Sequence, residues 1–329
     1  MATDNPMRES ETPETAPRSG RALVISRFGG PEVMEVRDLP LPVPQDDEVL
    51  VRVHAASVNP VDYKTREGQF PPVGEAQLPA VLGRDLAGTI ETFGTRAHYM
   101  VRHGDPVFAF IDFDRGAQAD YVIVKAIELC AIPDGLDMTT AAAIPLAAMT
   151  AWQGLFDHGG LQSGQRVLIH GGAGGVGQFA VQLARWKGAE VFATAGPDDQ
   201  ELLRDLGVDR AIDHTSERFE EIARDVDLVF DLIDGETRAR SWGTLRQGGI
   251  LVSTVSEPDQ AEATRHGVRA APRWLARPNA AQLGEIGDLV ANGTVKVRVV
   301  QTFPLDQAAA AQQAQAEGHV SGKIVLTLV

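Results

Sequence analysis

The chain has 329 residues, which is more than one average domain and predicts two domains that each bury a core. A hydrophobic fraction of 43% and a charged fraction of 23% are typical of a globular protein, while a formal net charge of -15 argues against nucleic acid or an anionic membrane as a partner. The single cysteine, Cys130, excludes an internal disulfide, and the lack of a membrane-length apolar run or a signal sequence makes a cytoplasmic protein the expectation.

The chain begins with a segment that lacks apolar periodicity. Residues 1–19 are rich in Pro, Thr, Ser and Glu, so we predict a disordered tail. From Arg21 onward, short apolar-rich runs such as Val49–Val53 alternate with turn residues, and this pattern predicts strands. The composition changes to Ala, Leu and Met around Thr139. We therefore predict a small, mostly β domain over residues 20–135.

The stretch of residues 166–195 has the pattern of a βαβ unit. An apolar run, a glycine-rich turn, an amphipathic helical segment and a second apolar run follow one another. Within the turn, Gly172-Ala173-Gly174-Gly175-Val176-Gly177 matches the pattern G-x-G-x-x-G. We expect Gly172 to make the tight turn, Gly174 to let the backbone approach a pyrophosphate, and Gly177 to let the helix pack against the strands. This predicts a dinucleotide site, and the absence of a following Lys-Ser or Lys-Thr argues against a P-loop hydrolase.

The alternation of strand and helix patterns continues beyond Ala195. Strands are predicted over residues 210–213, 226–233 and 250–255, and short helices over residues 201–206 and 241–245. Such alternation predicts a doubly wound parallel sheet that binds its ligand at the carboxyl ends of its strands. We therefore predict an α/β Rossmann domain over residues 136–295. Residues 296–329 are expected to return to the first domain, and the cleft between the domains is the expected substrate site.

Several stretches of the chain together resemble a known family. They are ASVNPVDYKTREG, LGRDLAG, GDPVFAF, AAAIPLAAMTAWQGL, VLIHGGAGGVGQFAVQLA and GHVSGKIVL. These stretches resemble the zinc-independent quinone oxidoreductase branch of the medium-chain dehydrogenase/reductase superfamily. The resemblance implies a split GroES-like catalytic domain beside the Rossmann domain, NADPH as the cofactor, and a homodimer. It also implies reduction of quinones or of carbon–carbon double bonds conjugated to a carbonyl.

The resemblance further predicts that no metal is bound. In the zinc-dependent relatives a cysteine stands at the position of Asn59, and a Gly-His-Glu motif stands where this chain has Gly83-Arg84-Asp85. Asparagine is a poor zinc ligand and arginine is a cation, so two of the three usual protein ligands are missing. A chain with one cysteine also cannot supply the four cysteines of a structural zinc site.

Three residues are candidates for the chemistry of the reduction. Negative charge develops on the carbonyl oxygen of an enone, and Asn59 or Lys64 could donate a hydrogen bond to it. Many family members place a tyrosine five residues after the asparagine, where this chain has Lys64 with Tyr63 beside it. Tyr63 could supply the proton, although a surface Lys64 and a packed Tyr63 ring fit the pattern equally well. Thr150 matches a family position near the cofactor.

Selectivity between NADPH and NADH depends on the end of the second strand of the βαβ unit. An NAD enzyme usually has an acid there, whereas this chain has Ala195, which would not repel a 2′-phosphate. Asp198 and Asp199 lie nearby and would oppose a phosphate if they faced the ribose. Arg204 is the best candidate for the neutralising cation, with His214 on the adenine side, and we predict a preference for NADPH. The cofactor-binding residues predicted here are Thr194, Ala195, Arg204 and His214.

These observations predict an NADPH-dependent oxidoreductase that transfers a hydride to a quinone or an α,β-unsaturated carbonyl without zinc. The alternative is a protein of the same fold that binds NADPH without turning it over, as a sensor or a structural protein. An alcohol dehydrogenase without a metal is disfavoured, because alkoxide formation would lack a Lewis acid.

Overall fold

The computed structural model describes residues 19–318 and 320–328. The strands of this part are β1 (Ser19–Ile25), β2 (Met34–Pro40), β3 (Glu48–Val58), β4 (Ala80–Val81), β5 (Asp85–Phe93), β6 (Pro106–Phe110), β7 (Tyr121–Lys125), β8 (Cys130–Ala131), β9 (Arg166–His170), β10 (Glu190–Ala195), β11 (Arg210–Asp213), β12 (Val226–Asp231), β13 (Leu245–Ser253), β14 (Arg269–Ala270), β15 (Val299–Pro304) and β16 (Lys323–Thr327). The helices are α1 (Pro60–Arg66), α2 (Met138–Ala142), α3 (Pro145–Trp152), α4 (Gly177–Trp186), α5 (Gln200–Leu206), α6 (Phe219–Ile222), α7 (Gly235–Ser241), α8 (Gln260–His266), α9 (Ala280–Ala291) and α10 (Ala308–Ala316).

Parallel strands form the sheet of the second domain in the order β11-β10-β9-β12-β13-β14. The chain enters at the central strand β9, moves outward to β11, and then returns to β12 on the other side of β9. The direction of winding therefore reverses between β9 and β12, which is the switch point where such sheets bind dinucleotides. The predicted α/β fold with a parallel Rossmann sheet is confirmed.

The first domain is built on a sheet in the order β15-β16-β3-β5-β6-β8, in which β7 also pairs with β3. A smaller sheet, β2-β1-β4, packs beside it. The long strand β3 pairs with β7 near its start and with β16 near its end, where Ile324 lies opposite Val58. The last strands of the chain therefore complete the sheet of the first domain, directly beside Asn59.

One apolar core is shared by the two domains. It includes Phe108 and Phe110 of β6 together with Phe179 of α4 and Phe230 of β12. A second core fills the first domain, and a third lies on the other face of the parallel sheet. Because close-packed protein interiors deform little, the shared core fixes the position of the end of β3 relative to the turn that follows β9.

Two predictions of local structure have different outcomes. The predicted tail lies outside the described residues as far as residue 18, and Ser19 already belongs to β1. The helical turn predicted over residues 241–245 is confirmed except at its last residue, because α7 ends at Ser241, a 3₁₀ helix covers Trp242–Thr244, and Leu245 begins β13. The helix begins earlier because the side chain of Asp234 caps it, accepting a hydrogen bond from the N–H of Gly235 at 2.7 Å.

Candidate coenzyme site and active site

The glycine-rich turn connects β9 to α4. Gly171, with a φ of +73°, makes the tight turn that the pattern assigned to Gly172. A Cβ at Gly172 would lie 2.8 Å from the Cβ of Ala193, so this glycine permits close packing on β10. A Cβ at Gly177 would lie 2.1 Å from the carbonyl oxygen of Gly171. The first residue of α4 must therefore be glycine for the helix to pack this closely against the turn. At Gly174 the nearest atom to a Cβ would be the carbonyl oxygen of Gly171 at 3.5 Å, which is an ordinary contact, so the turn is less crowded there beside the start of α4.

A buried histidine supports this turn. His170 Nε2 lies 2.8 Å from Ser241 Oγ, which donates its own hydrogen to the carbonyl of Thr237 at 2.7 Å. His170 therefore donates through Nε2, and its Nδ1 accepts from Thr194 Oγ1 at 3.1 Å. Burial lowers the pKa of His170 to about 3, so the ring is neutral. The hydroxyl oxygen of Thr194 also accepts a hydrogen bond from the N–H of Gly171 at 3.4 Å. The side chain of Thr194, a predicted cofactor residue, therefore stabilises the turn.

The end of β10 has His214 beside it. The N–H of His214 donates to the carbonyl of Ala195 at 3.2 Å, and its Nε2 lies 4.0 Å from the Cβ position of Gly196. The side-chain amide of Gln200 donates to the carbonyls of Ala195 and Gly196 at 3.2 and 3.1 Å. Arg204 is exposed in the last turn of α5, further from this edge along the helix. His214 therefore lies beside the end of β10, whereas Arg204 lies further along α5.

Asn59 follows β3 and is engaged in a buried cluster. Its Nδ2 donates to Ser57 Oγ at 3.1 Å and to Asp85 Oδ2 at 2.9 Å, and its Oδ1 accepts from Lys323 Nζ. Asp85 Oδ1 accepts the backbone N–H of Leu146 at the start of α3, at 2.7 Å. Both amide hydrogens of Asn59 are used within the cluster, so in this arrangement its side chain holds Lys323 and has no N–H left for an acceptor.

Lys323 is the member of this cluster that sequence reasoning missed. It is the first residue of β16 and only 2% exposed. Burial lowers the pKa of its ammonium, and nearby carboxylates, Asp85 foremost, oppose that fall. Its Cδ lies 3.2 Å from the Cβ position of Gly175. Lys323 therefore reaches from the glycine turn to Asn59 at the junction of the domains. The sequence signal that could have identified it is a lysine at the start of an otherwise apolar strand.

Tyr63 and Lys64 lie on α1, which begins directly after Asn59. Both side chains are half-buried. Burial raises the pKa of Tyr63, and a neighbouring carboxylate raises it further, so the phenol keeps its proton at neutral pH. Thr150 of α3 donates its hydroxyl to the carbonyl of Leu146 at 2.7 Å. The structure thus places all three predicted residues on the helices that meet the Asn59 cluster.

A cavity of about 410 Å³ lies within the first domain. Leu41, Val81, Phe113 and Tyr121 line it, with Arg84 at one side. Its walls include residues of the first domain and none of the predicted catalytic residues. This cavity is therefore separate from the substrate cleft expected between the domains.

Comparisons with known proteins agree with this geometry. Residues 45–134 match the alcohol dehydrogenase GroES-like domain, and residues 206–326 match the zinc-binding dehydrogenase family. The NADPH-dependent alkenal/one oxidoreductase of Arabidopsis thaliana chloroplasts is 32% identical across 94% of this chain and 80% of its own. The mitochondrial NAD(P)H oxidoreductase RTN4IP1 of Danio rerio is 31% identical across 94% of this chain and 91% of its own. The chain belongs to the quinone oxidoreductase branch of the medium-chain dehydrogenase/reductase superfamily. The solved structure of the quinone oxidoreductase from Coxiella burnetii aligns with a TM-score of 0.88 at 32% identity, covering 94% of this chain and 100% of that one.

The residues of this branch member do not fit a catalytic zinc. Among the described residues, no group of three or more His, Cys, Asp or Glu side chains is placed to hold a metal ion. Arg84 donates through Nη1 to the carbonyls of Arg115 at 2.7 Å and Asp112 at 3.3 Å. The side-chain oxygen of Asn59 accepts from the Lys323 ammonium. At the two positions where zinc-dependent relatives have ligands, a zinc ion would therefore meet the arginine cation and an asparagine whose oxygen is already bound to the Lys323 ammonium.

The glycine turn, by contrast, fits a dinucleotide. The uncrowded backbone at Gly174 lies beside the N-terminus of α4, whose unpaired N–H groups favour phosphate. No helix in the described ranges is both long and apolar enough to cross a membrane.

Proposed function

We propose that this protein transfers a hydride from NADPH to a quinone or an α,β-unsaturated carbonyl without a metal. The observation that carries the proposal is the contact between the glycine turn and Lys323, which also binds Asn59. It joins a dinucleotide site to a buried polar cluster at the junction of the domains. The relatives are by name NADPH-dependent or NAD(P)H-dependent oxidoreductases, which supports the same coenzyme and class of reaction here.

The Rossmann domain supplies the binding. The N-terminus of α4 and the backbone at Gly174 bind the pyrophosphate, because aligned N–H groups carry partial positive charge. Ala195 leaves the adenine ribose without a repelling acid, and His214 lies beside it. We propose that His214 takes the 2′-phosphate role first assigned to Arg204, and that NADPH is preferred over NADH.

The first domain supplies the environment of the reaction. Bound NADPH provides the hydride, which leaves negative charge on the carbonyl oxygen of the acceptor. The Lys323 ammonium, held by Asn59, stabilises that charge in a site from which water is largely excluded. Tyr63, which keeps its proton at neutral pH, or Lys64 beside it supplies the proton that completes a saturated carbonyl or a hydroquinone.

The assay that tests this function measures the loss of NADPH absorbance with a panel of quinones, enones and aldehydes. We expect turnover with quinones or enones and none with saturated aldehydes. Without a Lewis acid, the carbonyl group of a saturated aldehyde is not polarised enough to accept the hydride. Tight NADPH binding without turnover of any acceptor would instead indicate the non-catalytic alternative.

We further propose a homodimer formed through β14. This strand lies at the edge of the parallel sheet, and an unpaired edge can be completed by a symmetry mate. Light scattering should give twice the chain mass of 35.3 kDa, and a monomer mass at all working concentrations would contradict the proposed dimer.

The cytoplasm is the proposed location of the protein. Cell fractionation tests it, because the Danio rerio relative is mitochondrial.

A further inference from the structure

Two buried acceptors without donors belong to side chains that contact each other between α1 and the segment before β7. Asp62 is 1% exposed and Gln118 is fully buried. Gln118 Nε2 donates to Asp62 Oδ2 at 3.2 Å, and the backbone N–H of Asn59 donates to the same oxygen at 2.8 Å. The other oxygens, Asp62 Oδ1 and Gln118 Oε1, have no hydrogen-bond partner. Unpaired buried acceptors are costly, and these two belong to side chains that are already joined.

A proton on Asp62 would satisfy both atoms with one bond. A carboxylate oxygen and an amide oxygen are both acceptors, whereas a carboxylic acid donates its O–H. An acid and an amide side by side can form two parallel hydrogen bonds, one in each direction. We infer that Asp62 is held as the neutral acid by Gln118, and that its proton keeps the buried cluster around Asn59 positively charged during the reduction.

The neighbouring acid, Asp85, has the opposite surroundings. Its Oδ1 accepts the N–H of Leu146 at 2.7 Å, and its Oδ2 accepts Asn59 Nδ2 at 2.9 Å and a serine hydroxyl. Burial raises the pKa of Asp85, while Lys323 and these three hydrogen bonds oppose the rise. With donors on both oxygens, Asp85 is the ionised acid of the pair and Asp62 is the neutral one.

The charges on every element packed against Asp62 are consistent with this assignment. Burial, the largest effect, raises the pKa of Asp62 to about 7, and Asp85 of β5 contributes in the same direction. The hydrogen bond from Asn59 lowers the pKa, as do Arg84 before β5 and Lys323 of β16. When Asp62 is neutral, two cations face one anion and the cluster carries one positive charge. When Asp62 ionises, the cluster becomes neutral.

This inference rests on the proposed function, in which negative charge develops on the acceptor near Asn59. A site with one net positive charge stabilises that developing charge more than a neutral site does. Asp62 is a positioning residue, because it acts through Asn59 and the cluster. The value of kcat/KM should therefore fall as pH rises through about 7, where Asp62 loses its proton.

The first test reads the proton without reference to activity. Asp62→Asn replaces the acid with an amide that reproduces its hydrogen bonds and cannot ionise. The infrared difference between parent and variant should contain the carbonyl band of a protonated carboxyl at about pH 5.5 and lose it at about pH 8.5. The matched control, Asp134→Asn, changes an exposed acid and should give no such band. Absence of the band from the Asp62 difference at the lower pH would overturn the inference.

The second test measures kcat/KM against pH. The parent and Asp134→Asn should lose at least about threefold between these pH values, and Asp62→Asn should lose much less. An equal loss in Asp62→Asn would overturn the role of the proton in the reduction. A parent that reduces no acceptor at any pH would refute the proposed function, while the infrared band would still decide the state of Asp62.

Stability gives a third readout. A folded pKa above the unfolded value of 3.8 means that the stability from this group is present at low pH and is lost as pH rises through about 7. Asp62→Asn should therefore gain Tm relative to the parent at about pH 8.5. If Asp62→Asn does not fold, Gln118→Leu serves instead: removing the acceptor should shift the carboxyl band to higher frequency, and an unshifted band would overturn the pairing.

Discussion

Replacement of single glycines separates the turn's role in binding from its role in folding. A Cβ at Gly174 would have no neighbour closer than 3.5 Å, so Gly174→Ala should change the free energy of unfolding by no more than about 0.5 kcal/mol. The same methyl group would stand where the pyrophosphate approaches the backbone. Loss of one hydrogen bond to a charged group costs about 1.5–3 kcal/mol, which corresponds to a Kd for NADPH about 10- to 150-fold weaker.

The matched control is Gly177→Ala in the same turn. Its Cβ would lie 2.1 Å from the carbonyl oxygen of Gly171, a backbone atom that cannot rotate away. Such overpacking costs about 1–3 kcal/mol, and each kcal/mol lowers Tm by about 2–4 °C in a protein of this size. Fluorescence titration with NADPH and thermal unfolding measure the two quantities. Parent-like NADPH affinity in Gly174→Ala, with Tm unchanged, would show that the pyrophosphate does not pass this residue.

Three further predictions concern selectivity, metal and pH. His214→Ala should weaken NADPH binding at least about fivefold while leaving NADH binding nearly unchanged, whereas Arg204→Ala should alter neither, and equal losses for both coenzymes would clear His214 of contact with the 2′-phosphate. Activity should survive prolonged treatment with a chelator, and stoichiometric zinc whose removal abolishes activity would disprove the metal-free assignment. The folded pKa of His170 is about 3, below the usual 6.5, so the stability it contributes is present above pH 6.5 and is lost as pH falls toward 3. His170→Gln should therefore lose less Tm than the parent between about pH 6.5 and about pH 4, and parallel curves would argue against this source of acid sensitivity.

The Rossmann domain was predictable because its signals are local. The strand that starts at Arg166, the glycine turn and the helix after it follow one another within about one βαβ unit, and each has its own periodicity. The helical turn over residues 241–244 was found for the same reason, but the start of α7 was missed because the cap at Asp234 lies before that apolar pattern.

The buried cluster was only partly predictable, because its members are distant in sequence. Asn59 was identified from its motif, but Lys323 reaches it only through the antiparallel pairing of β16 with β3. Asp62 and Gln118 meet because the segment before β7 runs beside α1. Such contacts depend on how distant segments are brought together in the fold, which local sequence patterns do not show. The local sign of Lys323 was its position at the start of an otherwise apolar strand.

The position of β16 also determines when the first domain can be completed during synthesis. Along one edge of β3, residues 55–58 pair with β16, which emerges after the whole parallel sheet has been made. Chains emerge from the N-terminus and domains fold as units, so the Rossmann domain can close its sheet while β3 still has an open edge. An open edge strand invites pairing with other chains. A nascent chain of this protein is therefore most exposed to aggregation just before its last strand is made.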